Sequence, residues 1–253
     1  MKHLLPILLV MGSLACQTGP DSELDFLTEI APTASALHRE IELPYDLSHS
    51  NSNQFIEVAI GDLELPTGQI IASGPYYTRD LKPFARTVSP GTYPVKLYLH
   101  RVEPGHYRVA YAKIKFQREK ASRWLLAVTE DVPQDQLQTA QVGDYWGFSA
   151  EAGLGCFMDA ATNARYVKKV DDWYYYEQGR NYYEQILAGE FQAYSEGNPF
   201  AHTFSHWNSH VVEPSQGLNV MMFTSGWGSG YYPVYWGYGE GDEAVELTID
   251  FLI

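Results

Sequence analysis

The C-terminal segment from Asn219 to Ile253 constrains the fold of this chain more than any other stretch. It reads NVMMFTSGWGSGYYPVYWGYGEGDEAVELTIDFLI, in which an apolar run leads into interleaved glycines and aromatic residues and then into a second apolar run. Glycine loses more backbone entropy on ordering than other residues do, so a folded segment this rich in glycine requires sharp turns or close backbone packing. We predict a strand, a glycine-rich turn and a second strand that together close a β-rich domain.

The composition also favours strands. Hydrophobic residues make up 45% of the 253 residues and charged residues 19%, as in a chain that buries a core. Aromatic residues account for 14%, including 19 tyrosines, and aromatic side chains are enriched in strands. The length suits one large domain or two small ones, and the sequence shows no repeat and no boundary between two domains.

The chain is acidic, with 31 Asp and Glu residues against 17 Lys and Arg residues and a formal net charge of −14. Nucleic acids and anionic lipid surfaces are bound through clustered Lys and Arg side chains, and the chain has no basic stretch. The charge therefore argues against both as direct partners. A cationic partner stays open, although we favour solubility as the role of the charge.

The N-terminus is predicted to be an export signal over residues 1–15. A short polar head precedes an apolar run from Leu4 to Met11, far shorter than the roughly 20 residues that a membrane-spanning helix needs. Small residues then lead to Cys16, as in a bacterial lipoprotein signal, where cleavage occurs before a cysteine that carries lipid such as palmitate. This predicts a protein anchored to the membrane of the bacterial cell envelope, on its periplasmic or outer-surface side. Ser13 stands where such signals usually have leucine, so ordinary secretion with cleavage nearby is the alternative.

The second cysteine, Cys156, would have no disulfide partner in the chain if Cys16 is lipidated. It lies between Gly155 and Phe157, with no basic neighbour in sequence that would lower its pKa. We predict a small buried apolar residue rather than a nucleophile.

Strand signals follow a polar tether predicted over residues 16–53. A strand is predicted from Phe55 to Ile60, and a turn at 66–68, where the sequence is Pro-Thr-Gly. The clearest hairpin comes next, because Tyr93–His100 and Tyr107–Phe116 alternate on either side of a turn that contains Pro and Gly.

The pattern becomes helical after Asp159, which is a plausible N-cap. Two helices are predicted on either side of Gly179, before strands return near the C-terminus. The resulting fold class is α+β and β-rich, with mainly antiparallel sheet and a helical insertion around residues 160–194. We place it in a single domain over residues 54–253.

Several segments in a fixed order carry a family resemblance: Pro66–Ala72 (PTGQIIA), Pro90–Val95 (PGTYPV), Arg108–Ala110, Arg123–Trp124, Glu151–Asp159 (EAGLGCFMD), Ser225–Gly228 (SGWG), Tyr232–Gly237 (YPVYWG) and Asp250–Phe251. Together they resemble the bacterial family of unknown function numbered 4241, over roughly residues 62 to 253. The resemblance implies little about activity. Glu151 stands where the family usually has Asp, and Ser229 stands where the family usually has Asp within Gly-Trp-Gly-Asp-Gly. A carboxylate-based role at position 229 is therefore unavailable in this chain.

Glu151 and Asp159 are the candidate catalytic pair. Two carboxyl groups can act as acid and base when their environments differ, and their separation sets the mechanism. The alternative is structural, with Glu151 accepting backbone hydrogen bonds at a turn and Asp159 capping a helix. We favour the alternative, because helix caps are common and catalytic pairs are rare.

His202, His206 and His210 recur every four residues, the spacing that would align metal ligands on one face of a helix. The stretch contains weak helix formers and lacks a His-Glu-x-x-His motif, so we favour surface or packing histidines. The chain also lacks a Gly-x-Ser-x-Gly nucleophile elbow, a phosphate loop and a dinucleotide fingerprint. We predict no metal and no cofactor.

Trp227, Tyr235 and Trp236 are candidate ligand-binding residues, provided that their rings are exposed rather than buried beside the glycines. The features together predict a lipoprotein of the cell envelope whose domain binds a ligand or a partner protein. One alternative is a hydrolase that uses Glu151 and Asp159. Another, suggested by the acidity alone, is an immunity-like protein that neutralises a bacterial toxin.

Overall fold

The computed structural model describes residues 41–141, 144–201 and 205–253. The predicted export signal over residues 1–15 and the lipidation site Cys16 lie outside the described residues. The strands are β1 (Ile41–Tyr45), β2 (Ile56–Leu65), β3 (Ile70–Ser73), β4 (Gly91–Glu103), β5 (His106–Lys115), β6 (Arg123–Leu126), β7 (Gly147–Ala150), β8 (Leu154–Asp159), β9 (Trp207–Glu213), β10 (Leu218–Thr224), β11 (Gly230–Tyr238) and β12 (Ala244–Asp250). The helices are α1 (Gln134–Thr139), α2 (Ala160–Tyr176) and α3 (Ala188–Ser195).

Within the described residues, the strands form two sheets. The larger sheet has eight strands in the order β1-β6-β11-β12-β5-β4-β2, with β7 paired to the first part of β11. The smaller sheet has four strands in the order β3-β8-β10-β9. Every pairing between these strands is antiparallel. The prediction of a β-rich fold with antiparallel sheets is confirmed.

The local predictions in the first half of the chain are also confirmed. The predicted Pro-Thr-Gly turn at 66–68 separates β2 from β3. The predicted hairpin is the β4–β5 pair, in which Glu103 lies opposite His106 at the turn and Lys96 lies opposite Lys113 further along. The alternating sequence pattern predicted this hairpin correctly, because successive side chains of a strand point to opposite faces of the sheet.

The C-terminal segment contains three strands, so the prediction of a strand, a turn and a second strand is wrong in its middle part. The glycine-rich stretch forms β11, which pairs with β12 along one edge and with β7 and then β6 along the other. Gly237 lies opposite Glu246 of β12, and a Cβ atom at Gly237 would lie 2.6 Å from Glu246 Cγ. This glycine therefore permits close packing between strands and does not form a turn.

The helices follow directly from the smaller sheet. The carboxylate of Asp159, the last residue of β8, accepts a hydrogen bond of 2.8 Å from the Ala161 amide and caps α2, which confirms the predicted N-cap. After α2 the chain passes through Gly179, whose φ of 78° lies in the left-handed region. One π-helical turn over Tyr183–Leu187 then leads into α3.

Three apolar clusters hold these layers together. The first lies between the two sheets and contains Leu97, Phe157 and Phe223. The second lies between the smaller sheet and the helices, where Cys156 is fully buried and hydrogen-bonded to Ser73. The prediction that Cys156 is a buried packing residue is confirmed, and burial raises the pKa of its thiol to about 12.

The third cluster covers the outer face of the larger sheet. Residues of the segment predicted as a tether contribute to it, because β1 pairs with β6 and the short helical turn Ser48–Asn51 follows β1. Leu47 is 3% exposed and Ser50 is fully buried. No helix in the described part of the chain is long and apolar enough to cross a membrane.

Candidate functional site

An open cleft of about 930 Å³ lies between the end of the smaller sheet and the helices. One wall consists of the turns that precede β8 and follow β10, together with Arg108 of β5. The other wall consists of the loop after β3, the last turn of α2, the π-helical turn and α3. The lining residues are Tyr76, Tyr77, Arg108, Glu151, Ala152, Gly153, Leu154, Tyr174, Asn181, Tyr183, Glu184, Phe191, His206, Thr224, Ser225, Gly226 and Gly228.

The turn between β7 and β8 lines this cleft in an unusual backbone conformation. Ala152 has φ 55° and ψ 18°, so a residue with a Cβ atom occupies the left-handed region. Gly153 follows with φ 70°, and a Cβ atom there would lie 3.3 Å from the Cα of Gly228 in the turn after β10. The Ser225 amide donates a hydrogen bond of 2.9 Å to the Gly153 carbonyl. The two turns are thus fixed against each other, and such strained positions cluster at functional sites.

The opposite wall contains a second backbone irregularity, the π-helical turn. The Ala188 amide donates to the Tyr183 carbonyl, five residues earlier. This widened turn places both Tyr183 and Glu184 in the cleft wall, and π-helical turns are themselves frequent at functional sites. Tyr183 meets Tyr76 edge to face, with ring centroids 6.1 Å apart. Burial raises the pKa of Tyr76, so its hydroxyl stays neutral.

Arg108 links the cleft to Trp227, one of the candidate ligand-binding residues. The Arg108 guanidinium lies over the Trp227 ring at 4.3 Å from the centroid and donates a hydrogen bond of 2.9 Å to the Gly226 carbonyl. Trp227 is 58% exposed, so it fulfils the condition set for a binding surface. Tyr235 and Trp236 are each only 2% exposed, so neither ring is available to a ligand in this conformation.

The structure separates the two candidate catalytic carboxylates. Glu151 is exposed and lines the cleft. Asp159 is fully buried at the far end of β8, where its carboxylate caps α2 and also accepts hydrogen bonds from the amide and the hydroxyl of Thr67. The five residue steps of β8 alone span about 16 Å at the usual rise of a strand, whereas paired glycosidase carboxyl groups lie within about 10 Å of each other. These two residues do not form a catalytic pair.

The three predicted histidines do not meet at one metal ion in the described structure. His202 lies outside the described residues, His206 lines the cleft, and His210 lies within β9. Four steps of extended chain separate His206 from His210 by about 13 Å, far beyond the reach of one zinc ion. Among the described residues, no group of three or more His, Cys, Asp or Glu side chains could hold a metal ion.

His210 instead has two protein partners. It is 1% exposed, and its Nδ1 lies 2.8 Å from a carboxylate oxygen of Glu190 while its Nε2 lies 3.1 Å from the Tyr182 hydroxyl. The contacts join β9 to α3 and to the residue that precedes the π-helical turn. Their role in the described structure is to attach the helical wall of the cleft to the smaller sheet.

Sequence reasoning missed most residues of the helical wall and also a buried cluster of charges elsewhere. That cluster centres on Glu246 of β12, whose carboxylate accepts hydrogen bonds from Lys113 at 2.9 Å, from Lys115 at 2.7 Å and from the Trp124 indole at 3.2 Å. Lys113 is fully buried and also donates to the Ser50 hydroxyl. Burial alone would raise the pKa of Glu246, but the two lysines hold it at about 2. The signal in the sequence was Lys113 within an apolar alternating strand.

With this geometry in hand, comparison with known families gives one match. The family DUF4241, described as a protein of unknown function, matches residues 63–249. The chain belongs to this family. The match confirms the resemblance drawn from the ordered motifs, and it includes both turns of the cleft and the whole helical wall. Neither the curated proteins nor the solved structures contain a match to the chain.

Two of the sequence motifs that carry the resemblance to DUF4241 lie at the cleft. The Glu151–Asp159 motif is the cleft turn followed by β8, and the Ser225–Gly228 motif is the turn that packs against it. Ser229, at the position where the resemblance leads one to expect an acid, lies one residue before β11 begins. These two motifs and Arg108 thus lie on the sheet side of the cleft.

Proposed function

We propose that this protein is an exported lipoprotein of the bacterial cell envelope whose β-rich domain binds an amphipathic ligand in the cleft. The observation that carries the binding role is the composition of the cleft. Tyrosine rings form one wall, and polar groups from two turns that pack against each other form the other. Pockets that combine apolar and aromatic surface with a few placed polar groups are the usual sites for ligands.

A binding role fits the described residues better than hydrolysis by Glu151 and Asp159. The buried carboxylate of Asp159 is occupied by the cap of α2 and by Thr67. Glu151 remains in the cleft without that partner. No specific contact among the described residues supports the hydrolase or the toxin-neutralising alternative.

We also propose a role for the helical wall of the cleft. We take the segment around residues 160–194 as an insertion into the β-rich domain that supplies one side of the binding site. Tyr174, Tyr183 and Phe191 of this segment all line the cleft. Removal of the more exposed ring of Tyr174 should therefore affect binding more than stability, whereas Phe191 is 2% exposed and also packs in the core.

A thermal-shift screen of small cationic, neutral and anionic amphiphiles against the purified protein tests the site. We expect hits whose stabilising shift disappears in Tyr183→Ala, because that ring forms part of the wall. Tyr176→Ala is the matched control, since Tyr176 is 78% exposed and does not line the cleft. Hits that persist in Tyr183→Ala, or a screen without hits, would contradict the assignment of the cleft as the binding site.

The anchor is tested separately by labelling bacterial cells that express the full chain with radioactive palmitate. We expect label in the wild-type protein and in Cys156→Ala, and none in Cys16→Ala, which should also leave the membrane fraction. Cys156→Ala is the control because it removes the only other cysteine. An unlabelled wild-type protein with a cleaved N-terminus would show ordinary secretion instead of lipidation.

A further inference from the structure

We infer that the group of the ligand that contacts the helical wall of the cleft is a cation, either an alkylammonium or a guanidinium group. This inference rests on the proposed function, because it names the chemical class that the same cleft takes. Its basis is the combination of tyrosine rings on that wall with the carboxylates of Glu184 and Glu151 in the cleft.

Tyrosine rings are the main surface of the helical wall. Tyr76 and Tyr183 meet edge to face, Tyr174 is 43% exposed, and Tyr77 is 66% exposed. The face of a tyrosine ring carries negative potential and attracts ammonium and guanidinium groups within about 6 Å of its centroid. Several such rings around one space form the kind of aromatic cage that recognises alkylated ammonium groups.

Two carboxylates of the cleft are available to a cation. Among the described residues, neither the Glu184 carboxylate on the helical wall nor the Glu151 carboxylate opposite has a hydrogen bond or an ion pair. Two basic side chains on the helical side, Arg180 and Arg79, are already paired with other acids. Arg180 lies 2.9 Å from a Glu177 carboxylate oxygen, and Arg79 lies 2.6 Å from Asp171. An incoming cation would therefore find acids in the cleft that the protein itself does not neutralise.

Arg108, a cation that lines the cleft, is held on the opposite wall. Its guanidinium stacks on Trp227 and donates to the Gly226 carbonyl, so its charge is directed toward that turn. A positively charged group would stay away from this guanidinium and turn toward Tyr183 and Glu184. The rest of the ligand would meet the side that carries Thr224, whose buried hydroxyl oxygen has no hydrogen-bond partner among the described residues. Buried hydroxyl groups are normally paired, so this one is a suitable contact for a polar group of the ligand.

The excess of acidic residues also favours a cationic ligand, and its effect acts at longer range. A formal charge of −14 produces a negative field that raises the local concentration of cations and speeds their association at low salt. It disfavours small anions to the same degree. The field alone would not select a site, but the rings and carboxylates of the cleft would.

The test compares three probes of equal chain length, n-butylammonium, n-butanol and n-butanoate, by NMR titration of the aromatic resonances of the full protein. We expect only the ammonium to bind in the cleft, with an affinity that falls as salt rises. Glu184→Gln should weaken its binding roughly fivefold, since an ion pair or cation–π contact of this exposure contributes about 1 kcal/mol. Glu196→Gln makes the same change outside the cleft and should leave the affinity unchanged.

A second pair of variants separates the contribution of the Tyr183 ring to binding from that of its hydroxyl group. Tyr183→Phe keeps the ring and should retain most of the affinity, whereas Tyr183→Leu keeps apolar volume but removes the ring face and should lose it. A circular dichroism spectrum that matches the wild type shows that each variant has folded. Equal binding of n-butanoate, or unchanged ammonium affinity in Glu184→Gln, would overturn the inference.

The source of the cation is distinguished by adding the tripeptides Gly-Lys-Gly, Gly-Arg-Gly and Gly-Gly-Gly. Tighter binding of a basic tripeptide than of n-butylammonium would identify a side chain of a partner protein, while the reverse order would identify a free amine. An anionic or neutral hit that depends on Tyr183 in the amphiphile screen would refute the cation inference and leave the proposed binding function intact.

Discussion

The cleft and the outer face of the larger sheet both carry carboxylates, but the two groups differ in what surrounds them. Glu246 is 1% exposed and receives hydrogen bonds from two lysines, an indole and a threonine hydroxyl. Glu151 and Glu184 are exposed, and the described residues give their carboxylates no partner. A buried charge must be paired to be tolerated, whereas an exposed one can remain available. Similar side chains thus serve the stability of the fold in one region and can serve a ligand in the other.

The substitution with the largest expected effect is Glu246→Gln, which tests this contrast directly. The substitution leaves Lys113 buried without its carboxylate, so we expect the free energy of unfolding to fall by about 3–5 kcal/mol in urea denaturation. Glu184→Gln makes the same chemical change in the cleft and should alter it by less than about 0.5 kcal/mol. The double variant Lys113→Met with Glu246→Leu should be more stable than Glu246→Gln, because no unpaired charge remains at that pair. Equal losses for Glu246→Gln and Glu184→Gln would remove the distinction.

Lowering the pH should reveal the same difference between Glu246 and the carboxylates of the cleft. The pKa of Glu246 in the folded protein is about 2, below its usual value of 4.5, so folding favours the ionised form. Its contribution to stability is complete above the usual pKa and disappears as the pH falls toward 2. The full contribution is about 3 kcal/mol, of which about 2 kcal/mol should be gone at pH 3. Unfolding free energies at pH 6 and pH 3 should therefore show a smaller difference in Glu246→Gln than in the wild type, while Glu184→Gln should match the wild type.

A smaller effect should separate the two residues that the sequence placed in one candidate pair. Asp159→Ala removes the cap of α2 and the hydrogen bonds from Thr67, so we expect a loss of about 1–2 kcal/mol in the free energy of unfolding. Glu151→Ala removes an exposed side chain and should stay within about 0.5 kcal/mol of the wild type. Conversely, only Glu151→Ala should alter ligand affinity. An equal change in affinity for both variants would revive the idea that they act together.

Local sequence patterns were sufficient for features whose cause is local. The β4–β5 hairpin follows from alternation around a Pro-Gly turn, and the cap at Asp159 follows from the residues beside it. Cys156 could be assigned to the core from its neighbours alone. These predictions depend on side-chain periodicity, turn chemistry and capping, all of which act within a few residues.

The remaining features depend on contacts between distant residues. Gly237 was taken as part of a turn, but its need for space arises from Glu246 on the next strand and from Trp124 on another. Glu151 and Asp159 are close in sequence and yet separated, because an extended strand lies between them. The helical wall of the cleft was missed as a site, since a π-helical turn has no distinctive local pattern and the rings that meet there come from separate elements.

The strand order of the larger sheet has a consequence for how the protein is made. Strands β1 and β6 reach β5, β4 and β2 only through β11 and β12, which are the last two strands along the chain. During synthesis, the two halves of this sheet therefore lack the strands that join them until the segment from Gly230 to Asp250 has emerged. A chain that lacks these two strands cannot complete the larger sheet. Completion of the sheet therefore comes late in synthesis, after most of the chain has been made.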